Sequence, residues 1–274
     1  MHIAIKQANY HLIEEGQGEP LLLLHGFTGS SANWREHMTV LAQELRVIVV
    51  DLPGHGATNV PHYSMEAVAA DLIAILDALN IPKVHLGGYS MGGRLALSTA
   101  IHYQGRIQSL ILESASPGMA TEAERRARIQ SDEALARKIE QGGIEAFVQE
   151  WEQLPLFATQ SKTMKLHLHK LRLQNSPDGL VNSLRGMGTG VQPSLWHKLP
   201  EFKIPVLLLA GEFDTKFTEL ARQMQAALPD ADLEIIPGAG HTLHLEKPEQ
   251  FDRAVLKVIR RARLDGASDY RGAY

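Results

Sequence analysis

The sequence predicts an α/β fold: a mostly parallel sheet flanked by helices, with an inserted helical cap. Two observations carry this. Short apolar runs bounded by turn residues recur at 21–24, 47–50, 84–86, 110–112, 206–210 and 233–236, with helical patterns between them. From 117 to about 190 the strand signals stop and the text turns helical and polar, at 122–141, 144–153, 163–174 and 180–187.

Taken in order, the segment before Leu21, with Ile3, Ile5, Tyr10, Leu12 and Glu14, reads as a polar-faced antiparallel hairpin at one edge of the sheet. The runs that follow are the buried strands. The helical block reads as a cap over 117–189, hinged at Pro117-Gly118 and at 186–193, which divides a core made of 1–116 and 190–274. Residues 265–274 are rich in Gly, Ala and charge without periodicity and read as a frayed tail.

Composition narrows the function. The chain has 274 residues, 44% hydrophobic and 21% charged, an ordinary globular balance that suits one α/β domain or two small ones. A net charge of −4 offers no basic field for nucleic acid or an anionic membrane, so the expected partner is a small molecule. No apolar run is long enough to cross a bilayer and the N-terminus lacks a leader pattern, which makes the cytoplasm the default location. With no cysteine there is no disulfide, thiolate metal site or cysteine nucleophile. Neither a metal nor an organic cofactor is expected, and a monomer or weak homo-oligomer is the default assembly.

The strongest local signal is Gly88-Tyr89-Ser90-Met91-Gly92, a G-x-S-x-G that follows the strand 84–86 and opens a helix. A strand-to-helix turn that thrusts Ser90 outward strains its backbone and leaves little room for flanking side chains. The helix N-terminus behind it favours developing negative charge. A serine hydroxyl needs a base, and the base needs an orienting carboxylate. Asp214, in Gly211-Glu212-Phe213-Asp214, and His241, in Gly238-Ala239-Gly240-His241, follow later strands in the order Ser, acid, His. Glu212 and His244 are the rivals; their distances past the strand ends fit that order less well.

An oxyanion site is expected from the backbone N–H groups of Met91 and Phe27, the latter in His25-Gly26-Phe27-Thr28-Gly29, with Gly26 allowing close approach to the substrate oxygen. Asp51-Leu52-Pro53-Gly54-His55-Gly56 reads as a tight turn that shapes the floor of the site, a structural role.

Together these motifs resemble the α/β-hydrolase superfamily over nearly the whole chain. Gly88 through Arg94, Ser116-Pro117-Gly118, Trp151 with Pro155-Leu156-Phe157, and Asp214-Thr215-Lys216-Phe217 are more selective and resemble the MenH family, 2-succinyl-6-hydroxy-2,4-cyclohexadiene-1-carboxylate synthase of menaquinone biosynthesis. The resemblance implies a lyase that eliminates pyruvate from a substrate carrying three carboxylates. It implies that Arg94, Arg128 and Arg172 bind those carboxylates and that Tyr89 and Trp151 line the pocket. Arg94, one helical turn after Ser90, is the arginine that spacing alone also brings towards the nucleophile. The competing readings are a carboxylesterase or carbon–carbon bond hydrolase using the same triad, and a small-molecule receptor built on the same fold, which the complete triad argues against.

Overall fold

Apolar runs that alternate with amphipathic segments bury two faces of one sheet. The computed structural model describes residues 1–61 and 63–269. The chain opens with an antiparallel hairpin of β1 (His2–Ile5) and β2 (Ala8–Glu15), and continues through β3 (Glu19–Leu24), α1 (Arg35–Leu41), β4 (Leu45–Val50), α2 (Met65–Ala78), β5 (Val84–Tyr89), α3 (Met91–His102) and β6 (Ile107–Glu113). Three long helices then interrupt the strand series: α4 (Glu122–Trp151), α5 (Lys162–Arg172) and α6 (Pro177–Met187). The sheet resumes with β7 (Val206–Gly211), α7 (Thr215–Ala227), β8 (Ala231–Ile236), α8 (Leu243–Glu246) and α9 (Pro248–Asp269).

The eight strands lie in the order β1-β2-β4-β3-β5-β6-β7-β8. β2 pairs antiparallel with β4, and every pairing from β4 to β8 is parallel. The hairpin is less polar than its sequence suggests, because Tyr10 and Leu12 point inward and are fully buried. The pleat separates the core into two layers. Leu22, Leu24, Leu86 and Leu208 pack with α2, α3 and α7 through Leu72, Leu95 and Met224. Leu21, Leu23, Leu207 and Leu209 pack on the opposite face with α1 and α9 through Met38, Leu41, Phe251 and Val255. Each fully buried leucine contributes roughly 1.5–3 kcal/mol relative to exposure.

The inserted helices have a core of their own, built by Ala136, Ile139, Phe147, Val148, Leu180, Val181 and Leu184. Thr121 starts α4 with a reciprocal cap: its Oγ1 accepts the Glu124 N–H, and the Glu124 carboxylate accepts the Thr121 N–H. Gly143, at φ 71° and ψ −175°, kinks α4 so that its two limbs fold towards each other, a conformation open to glycine alone. Pro177 opens α6 behind the Ser176 cap. Helix α9 continues to Asp269, into the segment expected to fray, because helix propagates from a packed stretch without needing an apolar stripe; residues 270–274 lie outside the described residues. Among the described residues, no helix is long and apolar enough to cross a membrane.

Candidate active site

Parallel strands bring their carboxyl ends to one edge, so residues remote in sequence meet there. β3 delivers the loop beginning at His25, β5 delivers Ser90, β7 leads to Asp214 and β8 to His241. Ser90 follows β5 directly and caps α3 at φ 51° and ψ −108°, and its N–H donates to the Glu113 carbonyl at 2.9 Å. A non-glycine residue held there costs on the order of 1–3 kcal/mol, supplied by the surrounding packing. The tight elbow explains its glycines: a Cβ at Gly88 would lie 2.4 Å from the Gly92 backbone, and one at Gly92 2.3 Å from the Leu24 carbonyl.

Ser90 Oγ lies 3.2 Å from His241 Nε2, and His241 Nδ1 lies 2.7 Å from Asp214 Oδ2. The carboxylate accepts, so Nδ1 carries the proton and Nε2 presents its lone pair to the serine hydroxyl. His241 and Asp214 are buried at 2% and 7% exposure, which shields the contact from competing water. The two rivals are engaged elsewhere. Glu212 is exposed and accepts the Gly238 N–H at 2.8 Å, while His244 is buried against Glu113.

The backbone N–H groups of Phe27 and Met91 have no acceptor among the described residues. The loop that carries Phe27 is held from behind by the Asp51–Gly56 turn. His55 Nδ1 donates to the Pro53 carbonyl and Nε2 accepts the Thr28 N–H at 3.2 Å. Burial, followed by neighbouring His25, depresses the His55 pKa to about 3, so the ring is neutral and can accept. His25 repeats the device: Nδ1 donates to the Gly26 carbonyl and Nε2 accepts the Leu52 N–H. Asp51 accepts the Ser31 and Ala57 N–H groups. Gly26 has a use the sequence does not reveal, since a Cβ there would lie 2.6 Å from the Tyr89 ring.

A cavity of about 880 Å³ opens over Ser90, and its wall includes Gly26, Phe27, Tyr89, Met91, Arg94, Arg128, Trp151, Arg172 and His241; Asp214 stands behind His241, outside the wall. Its volume is that of a small-molecule site. Tyr89 packs on His241 with ring centroids 5.3 Å apart, and Trp151 packs on Phe27 at 5.4 Å. The three arginines differ. Arg128 donates to Asp132 at 2.7 Å, and Arg172 donates to Glu152 at 3.0 Å while its guanidinium sits 4.8 Å from the Phe157 ring centroid. Arg94, 8% exposed, donates only to neutral acceptors, the Gln192 side chain at 2.8 Å and the Met187 carbonyl at 2.9 Å. Burial, followed by the positive Arg128, depresses its pKa to about 10, against a smaller opposing pull from the Asp132 carboxylate.

Several contributors escape sequence reasoning. Gln192 orients Arg94 from a stretch that reads only as a hinge, and Met187 does so through its carbonyl at the end of a helix. Asn175 ties the cap to the loop that carries Phe27 by donating to the Thr28 carbonyl at 3.0 Å. Lys216 adds a cation to the cavity wall. Asp132 was detectable, since it stands four residues after Arg128 on one helix. Among the described residues, no cluster of three His, Asp or Glu side chains could hold a metal ion.

Known proteins resemble this chain in sequence and in fold. A family model described as alpha/beta hydrolase fold matches residues 19–248. A Bacillus subtilis (strain 168) protein, provisionally named 2-succinyl-6-hydroxy-2,4-cyclohexadiene-1-carboxylate synthase, is 44% identical over 91% of this chain and 94% of its own length. The chain belongs to this synthase family. A Serratia proteamaculans synthase is 33% identical over 88% of this chain and 93% of its own length. Among solved structures, MenH from S. aureus superposes with a TM-score of 0.89 at 36% identity, covering 93% of this chain and 98% of that one. A thermophilic esterase from Thermogutta terrifontis also superposes, with a TM-score of 0.86 at 26% identity over 96% of this chain and 99% of its own. The synthase family and the esterase therefore share a scaffold, and the contents of the cavity must separate their chemistries.

Proposed function

We propose that the protein eliminates pyruvate from 2-succinyl-5-enolpyruvyl-6-hydroxy-3-cyclohexene-1-carboxylate to give 2-succinyl-6-hydroxy-2,4-cyclohexadiene-1-carboxylate, with Ser90, His241 and Asp214 as its proton-transfer apparatus. The observation that carries this reading is Arg94: a buried guanidinium in the same cavity as Ser90, hydrogen-bonded only to neutral acceptors. Such a charge is costly to bury and has its natural complement in a ligand carboxylate. A site for neutral esters has no use for it, whereas this substrate carries three carboxylates.

In the proposed reaction, Ser90 passes its hydroxyl proton to His241 and takes the ring proton next to the succinyl ketone. The electrons of the broken C–H bond delocalise into a dienolate whose oxygen faces the Phe27 and Met91 N–H groups. One such donor is typically worth roughly 3 to 4 kcal/mol of barrier. Collapse of the dienolate forms the second ring double bond and breaks the C–O bond to enolpyruvate, which takes the proton from His241 and tautomerises to pyruvate. Asp214 holds His241 in the required tautomer and stabilises its charged form. Arg128 and Arg172 are proposed to meet the remaining carboxylates, with Asp132 and Glu152 fixing their guanidinium planes until substrate arrives. Tyr89 and Trp151 supply apolar walls for the ring.

The second reading, a serine esterase, is favoured by the Ser90–His241 contact and by the esterase among the structural relatives. Incubation with the enolpyruvyl cyclohexene substrate and, separately, with a short-chain p-nitrophenyl ester distinguishes the two. The elimination reading expects pyruvate release well above the spontaneous background and a slow ester reaction. A p-nitrophenol burst without accelerated pyruvate release would replace it with the esterase.

A further inference from the structure

A second imidazole–carboxylate pair lies directly behind the triad, and the proposed reaction does not use it. Glu113 ends β6, between the strand that delivers Ser90 and the strand that leads to Asp214. Its backbone carbonyl accepts the Ser90 N–H at 2.9 Å. Its Oε1 accepts both the backbone N–H of His244, at 3.1 Å, and the ring Nδ1–H, at 2.8 Å. His244 stands in α8, three residues after His241. One residue thus holds the nucleophile by its backbone and the segment carrying the base by its side chain.

The contact chain continues through rings. His244 packs on Trp34 at 4.6 Å and on Tyr89 at 4.7 Å between centroids, and Tyr89 packs on His241 at 5.3 Å. The same Tyr89 ring fills the space that a Cβ at Gly26 would need. Glu113 and His244 are each 1% exposed, and Glu113 Oε2 is buried without a partner. Stability does not account for such a pair. Two buried polar groups are commonly replaceable by apolar side chains without loss, and an orphaned oxygen adds a desolvation cost.

We propose that the Glu113–His244 pair is a positioning device: through the His244 backbone and the Tyr89 ring it fixes His241 and the oxyanion loop relative to Ser90. This rests on the reading of Ser90 and His241 as the reactive pair, though not on the identity of the substrate. Errors of about 1 Å in such a constellation can cost on the order of 10²-fold in rate, so a device of this kind affects turnover more than folding.

The test compares three variants with wild type, each shown folded by near-UV circular dichroism. The readout is the second-order rate of Ser90 labelling by a fluorophosphonate probe, which senses the Ser90–His241 contact and no substrate. The double variant Glu113→Met/His244→Phe keeps apolar volume and is expected to retain its melting temperature while labelling at least about tenfold more slowly. His244→Asn, which leaves Glu113 a donor and removes the ring from Tyr89, is expected to slow labelling similarly. Glu113→Gln, which keeps the Oε1 acceptor, should stay within about threefold of wild type. With the enolpyruvyl substrate the two His244 variants should lose kcat while KM holds within about threefold, and Glu113→Gln should keep both near wild type. Labelling at the wild-type rate by either folded His244 variant would overturn the proposal, as would Glu113→Gln labelling as slowly as the double variant. Absent pyruvate release by wild type would overturn the proposed reaction and leave the labelling result standing.

Discussion

A guanidinium withdrawn from water and offered only amide and peptide oxygens keeps its charge at a cost, and at Arg94 that cost appears as a pKa of about 10. If the charge exists to bind substrate, Arg94→Ala should lower both kcat and affinity, each by about tenfold or more, and Arg94→Lys should recover little because an ammonium cannot make the planar two-point contact. Unchanged steady-state kinetics would remove the anion site from the account. His55 gives a prediction of stability. Its folded pKa is about 3 against an ordinary value of 6.5, so the unfolded chain takes up a proton that the folded chain refuses. Stability should therefore be full above pH 6.5 and fall as pH drops towards 3, by on the order of 1.4 kcal/mol per unit in the steepest part. Urea unfolding at pH 7 and pH 4.5 measures this, and His55→Gln, which keeps an acceptor for the Thr28 N–H, should flatten the slope; an unchanged slope would place the titration elsewhere. At this scale the elbow and the order Ser, acid, His were legible because they are local patterns set beside strands. The pairing of Arg172 with Glu152 was not, since those residues meet only when α5 packs beside the end of α4.

Strands proved longer than their apolar runs wherever polar side chains find partners inside the sheet. The run at 110–112 extends to Ile107–Glu113 because Ser109 pairs with His85 across β5 and β6 at 2.8 Å and Glu113 is bound by His244. Polar letters that end a run in sequence need not end a strand once a neighbour satisfies them. The cap helices were more legible, since caps and glycines mark their ends: the two segments expected on either side of residue 143 are the two limbs of α4, separated by the non-helical Gly143. The kink yields a prediction at this scale. A Cβ at Gly143 meets nothing within 4 Å, so the obstacle to Gly143→Ala is the backbone alone. The substitution should destabilise the protein by roughly 1–3 kcal/mol, read as a lowered melting temperature. A neutral or stabilising effect would show that the two limbs of α4 do not depend on this conformation.

Sheet order is a property of the whole molecule, and no short pattern encodes it. Alternation of strand and helix implied parallel pairing, but that β6 would lie between the strands of Ser90 and Asp214, and so bring Glu113 behind the triad, follows only from the assembled order. The division of labour is likewise global. The core carries Ser90, His241, Asp214 and the Phe27 loop on a scaffold whose fold an esterase shares, while Arg94, buried between core and cap, meets Arg128 and Arg172 at a single cavity. The account joins these two halves by assigning triad-driven elimination to an anion-binding pocket. The most direct measurement is a time course of pyruvate release from the enolpyruvyl cyclohexene substrate, coupled to NADH oxidation, for wild type and Ser90→Ala. The account predicts rapid release by wild type and a loss of at least about 10²-fold in Ser90→Ala, the scale of removing a general base. Equal rates for the two proteins would contradict it, since the pocket would then be working without the serine that the triad exists to activate.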